Sequence, residues 1–134
     1  MWIYEQGTGR ISRNNSMLCI GYSGAGDGKN NPAMQNIPDV GPCPQGAYRI
    51  EPPRDTVEHG DFVLPLIPQP ANEMYGRAGF LIHGDSVKHP DEASKGCIIA
   101  PRYARERIWE SGDLELRVVE AIPPDANAEW PNGD

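Results

Sequence analysis

Glycine and proline recur so often along this chain that its apolar runs are cut to a few residues before a turn former intervenes. Fifteen glycines and fourteen prolines do the cutting. Runs that short, bounded by residues that favour turns, read as strands rather than helices, so the expected class is mainly β. Strands are expected at 2–4, 16–22, 47–50, 62–64, 80–83, 97–99 and 114–119. One helix is expected at 101–111: Pro101 opens it where a first turn needs no N–H, Ala104 and Ile108 share a face, and Gly112 can end it. Glycine and proline together stay below the roughly 25–30% at which low complexity takes over. A chain of 134 residues then supports one core that buries roughly two thirds of its unfolded surface.

Charge removes one class of partner. Twelve basic against nineteen acidic side chains leave a net charge of −7, the wrong field for displacing counterions from a phosphate backbone, so no nucleic acid is expected. No stretch approaches the roughly 18 apolar residues of a membrane span, and the first residues have neither a basic start nor an apolar h-region. Membrane insertion and a secretion signal are therefore not expected. Cys19, Cys43 and Cys97 form neither a dense disulfide framework nor a paired zinc spacing, and no cofactor or metal is called for. An odd count leaves at least one thiol free, with Cys19 and Cys43 as a candidate disulfide. The segment 21–32 reads as one long ordered loop, and it is no phosphate loop, because Asn30 rather than Ser or Thr follows Lys29. Residues 1–121 read as the catalytic domain, and 122–134, with Trp130 as the large apolar group, as a tail that docks weakly or frays.

The chemistry concentrates in two stretches, Phe80-Leu81-Ile82-His83-Gly84-Asp85-Ser86 and Ser94-Lys95-Gly96-Cys97-Ile98-Ile99. The 13 residues 84–96 between the two apolar triplets far exceed a hairpin connection, and loops of that length in compact domains are usually functional. Set side by side, the strands would bring His83, at the end of one, and Cys97, at the start of the next, to the same loop-covered edge. A free thiol, with a pKa of about 8.5, is only slightly ionised at neutral pH, so nucleophilic use of Cys97 needs an imidazole to hold or take its proton. Gly96 lets a substrate carbonyl approach the backbone, where the N–H groups of Gly96 and Cys97 can stabilise an oxyanion. Against this stands the plain reading of a cysteine before two isoleucines as a small buried hydrophobe.

At these residues the sequence resembles the L,D-transpeptidases with a YkuD-like catalytic domain, whose signature is a His, a long gap and then Ser/Thr-x-Gly-Cys. It is more similar still to the branch delivered as type VI secretion effectors. Four motifs carry that likeness in order: Gly21-Tyr22-Ser23-Gly24, Asn30-Asn31-Pro32, Gly41-Pro42-Cys43-Pro44-Gln45-Gly46-Ala47-Tyr48, and His83-Gly84-Asp85-Ser86 before the cysteine. The likeness covers about residues 2–119. It implies a compact β-sandwich-like domain and attack by Cys97 on the diaminopimelate carbonyl of a peptidoglycan stem peptide, with His83 as base and the Gly84 carbonyl orienting its ring. D-Ala would leave as a thioester forms. Water then completes an L,D-carboxypeptidase reaction, and a D-amino acid or another stem's amine completes an exchange or crosslink. The same resemblance implies delivery by type VI secretion machinery into a target bacterium's periplasm, an antibacterial role, and a cognate immunity protein in the producer.

Many relatives carry a His directly before the Gly-Cys and an Arg two places after the Cys, where this chain has Lys95 and Ile99. The carboxylate clamp is then open to Arg77 or Arg102, since a guanidinium fork suits a carboxylate, or both are solvated charges. Tyr22, Ser23 and Asp85 are candidates to contact substrate, with scaffolding as the alternative for each. Ser94 either belongs to the catalytic motif or caps the turn before Gly96. His59 and His89 read as exposed turn residues. The alternative function is a catalytically silent wall-binding or secretion-apparatus-associated module of the same fold.

Overall fold

The computed structural model describes residues 1–122; the expected tail, with Trp130, lies outside the described residues apart from Ile122. Ten strands and one α-helix follow in chain order: β1 (Trp2–Glu5), β2 (Arg10–Arg13), β3 (Ser16–Ile20), β4 (Tyr22–Ser23), β5 (Gly46–Ile50), β6 (Arg54–Thr56), β7 (Gly60–Pro68), β8 (Leu81–His83), β9 (Ile98–Ile99), α1 (Arg102–Glu110) and β10 (Glu115–Val119). The class is mainly β, as the sequence reads. The strands follow one hydrogen-bonded path, β3-β2-β1-β10-β5-β7-β8-β9-β4, with β6 added against β7. Two of its pairings, β1 with β10 and β8 with β9, are parallel.

The expected strands form, and the differences have local causes. The run 16–22 splits into β3 and β4 at Gly21, where a Cβ would lie 1.9 Å from the Ile99 carbonyl oxygen, so only glycine lets the backbones pass. β7 runs well past the expected 62–64, because Pro65 and Pro68 look like strand breakers in sequence yet are accommodated in the ladder. Two strands have no apolar run to announce them. β2 offers only Ile11 to the core, and its real signal is the pair Asn14-Asn15 between Arg13 and Ser16, both at positive φ as a two-residue hairpin turn requires. β6 is Arg54-Asp55-Thr56, wholly polar and at the periphery.

The core gathers Tyr4, Ile11, Tyr48, Ile50, Leu64, Ile82, Ile98, Ile108 and Leu116, all essentially inaccessible to solvent. Each such side chain is worth roughly 1.5–3 kcal/mol over its exposed state. β1 is buried along its whole length, so both faces of the sheet are covered there. α1 starts one residue later than expected, with Pro101 at its N-cap, and Gly112 follows its end at φ +73°. It lays Ala104 and Ile108 against the sheet beside β7 and β8, as their spacing requires, and buries Arg105 on the same face. The loop 24–41 tightens into 3-10 turns at Gly26–Gly28 and Pro32–Met34, the second capped by the Asn31 side chain.

Candidate active site

β8 and β9 lie side by side but parallel, pairing Ile82 with Ile98 and His83 with Ile99. That corrects the arrangement expected from sequence. In a parallel pair the end of one strand and the start of the next lie at opposite ends, so no shared edge unites His83 and Cys97. A shared face does. One step back from Ile98, Cys97 falls beside Leu81. Side chains alternate along a strand, so Leu81, His83 and Cys97 point to the same side. The diagonal offset is about 8 Å between Cα positions. The 13 residues 84–96 are the crossover, and a parallel connection needs about a dozen or more.

Both side chains line one cleft of about 780 Å³, whose wall also includes Asp39, Glu58, His59, Arg77, Phe80 and Lys95. His83 is buried, and its Nδ1 sits 2.9 Å from the Gly84 carbonyl oxygen. A carbonyl only accepts, so Nδ1 carries the proton and the neutral ring keeps Nε2 as its base. Burial pushes the His83 pKa below the ordinary imidazole value; His59 and Arg105 add to this, while the Gly84 hydrogen bond and Asp85 oppose it. Burial also pushes the Cys97 thiol up, against the pull of the Leu81 N–H and Arg77. Its Sγ lies 3.8 Å from the Gly79 carbonyl oxygen. Both shifts favour the uncharged forms, a thiol and a neutral imidazole. Of the two roles open to the imidazole, this arrangement suits taking the proton during attack rather than holding it beforehand.

The backbone before the thiol is held from behind by two buried serines. Ser23 Oγ donates to the Gly96 carbonyl at 2.8 Å and accepts from the Cys43 N–H at 2.9 Å. Ser94 Oγ donates to the Cys97 carbonyl at 2.6 Å and accepts from the N–H groups of Gly24 and Gly96 at 2.8 and 3.0 Å. The Gly96 N–H is therefore used, which leaves Cys97 as the remaining one of the two expected oxyanion donors. Gly96 itself sits at φ +141°, and a Cβ there would meet Arg77 Nη2 at 2.5 Å.

Four expectations for substrate contact change once these partners are seen. Arg77 is buried and gives its terminal nitrogens to four carbonyls: Gln35 at 2.6 Å, Pro42 at 2.9 Å, Gly41 at 3.0 Å and Lys95 at 3.3 Å. No fork remains for a carboxylate. Arg102 pairs with Glu106 at 2.9 Å and covers the Phe62 ring, away from the cleft. Tyr22 and Ser23 are buried behind the cleft instead of lining it. Tyr22 donates to Asp85 Oδ1 at 2.6 Å and accepts from the Ala93 N–H at 2.9 Å, pinning both ends of the crossover. Asp85 does line the cleft. Against the upward push of its burial, hydrogen bonds from Tyr22, Asp91 and Ser86 hold it below the usual carboxylate range.

Sequence reasoning missed His59 and Glu58. Both line the cleft, and the His59 ring packs on His83 with centroids 4.4 Å apart and planes at 31°. Nothing in the sequence distinguishes His59 from a turn residue, because the hairpin that carries it is placed by tertiary contacts. His89 also borders the cleft. Cys19 and Cys43 are buried free thiols, pushed up by that burial to about 11 and about 12, and neither faces the cleft. Among the described residues no cluster of three or more potential metal ligands occurs.

Comparison with protein families finds one that matches most of the chain, the Tlde1 domain, over residues 18–122. Comparisons with curated proteins and with solved structures give no match. The matched region contains every residue of the cleft and begins after β1 and β2, which the structure nevertheless builds into the same sheet.

Proposed function

This chain belongs to the Tlde1 domain family, that of type VI secretion L,D-transpeptidase effectors, and on that premise we propose that it is a cysteine enzyme acting on peptidoglycan stem tetrapeptides. The supporting observation is the common face of β8 and β9, which puts a partly accessible thiol and a tautomerically fixed imidazole into one cleft. In the proposed reaction, His83 Nε2 takes the Sγ proton as sulfur attacks the carbonyl of the third stem residue. The oxyanion meets the Cys97 N–H. Collapse breaks the bond to D-Ala, whose amine takes the proton from His83, and a thioester remains on Cys97. Water, deprotonated by His83, releases the tripeptide as an L,D-carboxypeptidase; a D-amino acid amine in its place completes exchange. Lys95, at the cleft wall directly before Gly96, takes the place of the missing arginine clamp as the cation for a substrate carboxylate. Secreted into a competitor, such an enzyme acts in the periplasm, and its producer needs an immunity protein.

Mass spectrometry of tetrapeptide muropeptides, incubated with and without D-Met, tests this directly. The wild type should release D-Ala and, with D-Met present, also form the exchanged product. Cys97→Ala should do neither while keeping its fold. Undiminished D-Ala release by that variant removes the mechanism.

A further inference from the structure

We propose that His59 is a positioning residue for the base: carried over the cleft by the β6–β7 hairpin, it covers the His83 ring and completes the fixing of that imidazole. The proposal rests on the reading of His83 as the base. An imidazole side chain turns about two torsions. The hydrogen bond from Nδ1 to Gly84 fixes one nitrogen but still lets the ring pivot about that contact. A second ring packed at 4.4 Å removes the remaining freedom and leaves Nε2 for the thiol.

The hairpin is built to deliver this contact. Its tip is tied by the His59 N–H to Thr56 Oγ1 at 2.8 Å, and Glu58 Oε1 lies 3.6 Å from His59 Nε2. Two residues into β7, where its pairing with β6 shifts register, Phe62 takes a left-handed φ of +54°, an uncommon conformation for a bulky residue. Arg105 holds that bend by donating from Nη1 to the carbonyls of Asp61 and Phe62 at 2.8 and 2.9 Å. Such strain persists only where the surroundings impose it, and it clusters at sites of function.

Charge gives the contact a signature that packing alone lacks. The charged and titratable groups acting on His83 are His59 from the hairpin tip, Arg105 from α1 and Asp85 from the crossover, while Glu58 and Cys97 line the same cleft. Of these, His59 and Arg105 disfavour a proton on His83, and Asp85 favours it. Removing His59 relieves part of the repulsion, so the base should gain its proton at a higher pH than in the wild type.

The test is D-Ala release from tetrapeptide muropeptides across pH for the wild type, His59→Ala and His59→Phe. The alanine variant should lose roughly tenfold in kcat with little change in KM. The phenylalanine variant keeps a ring against His83 and should recover most of that loss. In both, the acid limb of kcat/KM should move to higher pH. An NMR titration of the His83 ring in a Cys97→Ala background, with and without His59→Phe, reads the same shift without turnover. An unmoved titration, or a phenylalanine variant no more active than the alanine one, overturns the proposal. Should His83→Ala itself retain D-Ala release, the reading of the site fails first, while the titration still decides whether the two rings are coupled.

Discussion

Two parts of the cleft wall are of opposite construction, the crossover 84–96 and the tip of the β6–β7 hairpin. The crossover is tied to the body by side chains far away in sequence. Tyr22 holds Asp85 and Ala93, Ser23 holds Gly96, Lys29 holds the Asp91 carbonyl at 3.0 Å, and Arg77 holds Lys95. β7 from Leu64 onward is fixed in the sheet between β5 and β8. The hairpin's tip, by contrast, is tied mostly to itself, through Thr56 to His59 and Asp55 to the Phe62 N–H, and reaches the body through Arg105, Arg102 over the Phe62 ring, and the His59 ring. The nucleophile thus sits on a segment whose shape the whole domain dictates. The neighbour of the base sits on a tip held by fewer and more local anchors. Hydrogen bonds made locally do not anchor a segment to the rest of the fold, whereas bonds to distant elements do, so the hairpin's tip is the less firmly anchored part of the cleft wall.

Three substitutions sharpen or break that contrast. Ser94→Ala should be the most damaging, because one buried hydroxyl serves Gly24, Gly96 and Cys97 at once. Leaving those groups unpaired should cost about 2–3 kcal/mol in denaturant unfolding and, by shifting the nucleophile, on the order of a hundredfold in turnover. A variant of near wild-type rate would show that the crossover does not need its anchors. Tyr22→Phe keeps the packing but removes the Asp85 and Ala93 bonds; a loss of about 2 kcal/mol is expected, with a smaller fall in rate. Val57→Ser, at the fully exposed hairpin tip, should leave stability within about 0.5 kcal/mol and turnover unchanged. A large effect there would mean that the tip is anchored more widely than its local hydrogen bonds imply.

The same contrast explains what could be read early. The crossover carries its chemistry in consecutive residues, so His83, Gly84, Ser94, Gly96 and Cys97 announce themselves through glycines, spacing and strand ends. The hairpin does not: Arg54, Asp55 and Thr56 have no apolar period, and His59 before Gly60 has the composition of any turn. Arginines mislead for a related reason. A sequence shows that Arg77 is cationic, but only the packed structure shows its terminal nitrogens already spent on four carbonyls.

What the sequence determined by itself is whatever local chemistry dictates: short strands between turn formers, a helix with Pro101 before it and Gly112 after it, and a thiol preceded by glycine. What the tertiary structure decided is the direction of β9 relative to β8, the partners of each charged group, and the ring laid over His83. Those depend on contacts between residues far apart in the chain, where many pairings are open to the same local pattern and the total burial and hydrogen bonding of the fold select among them.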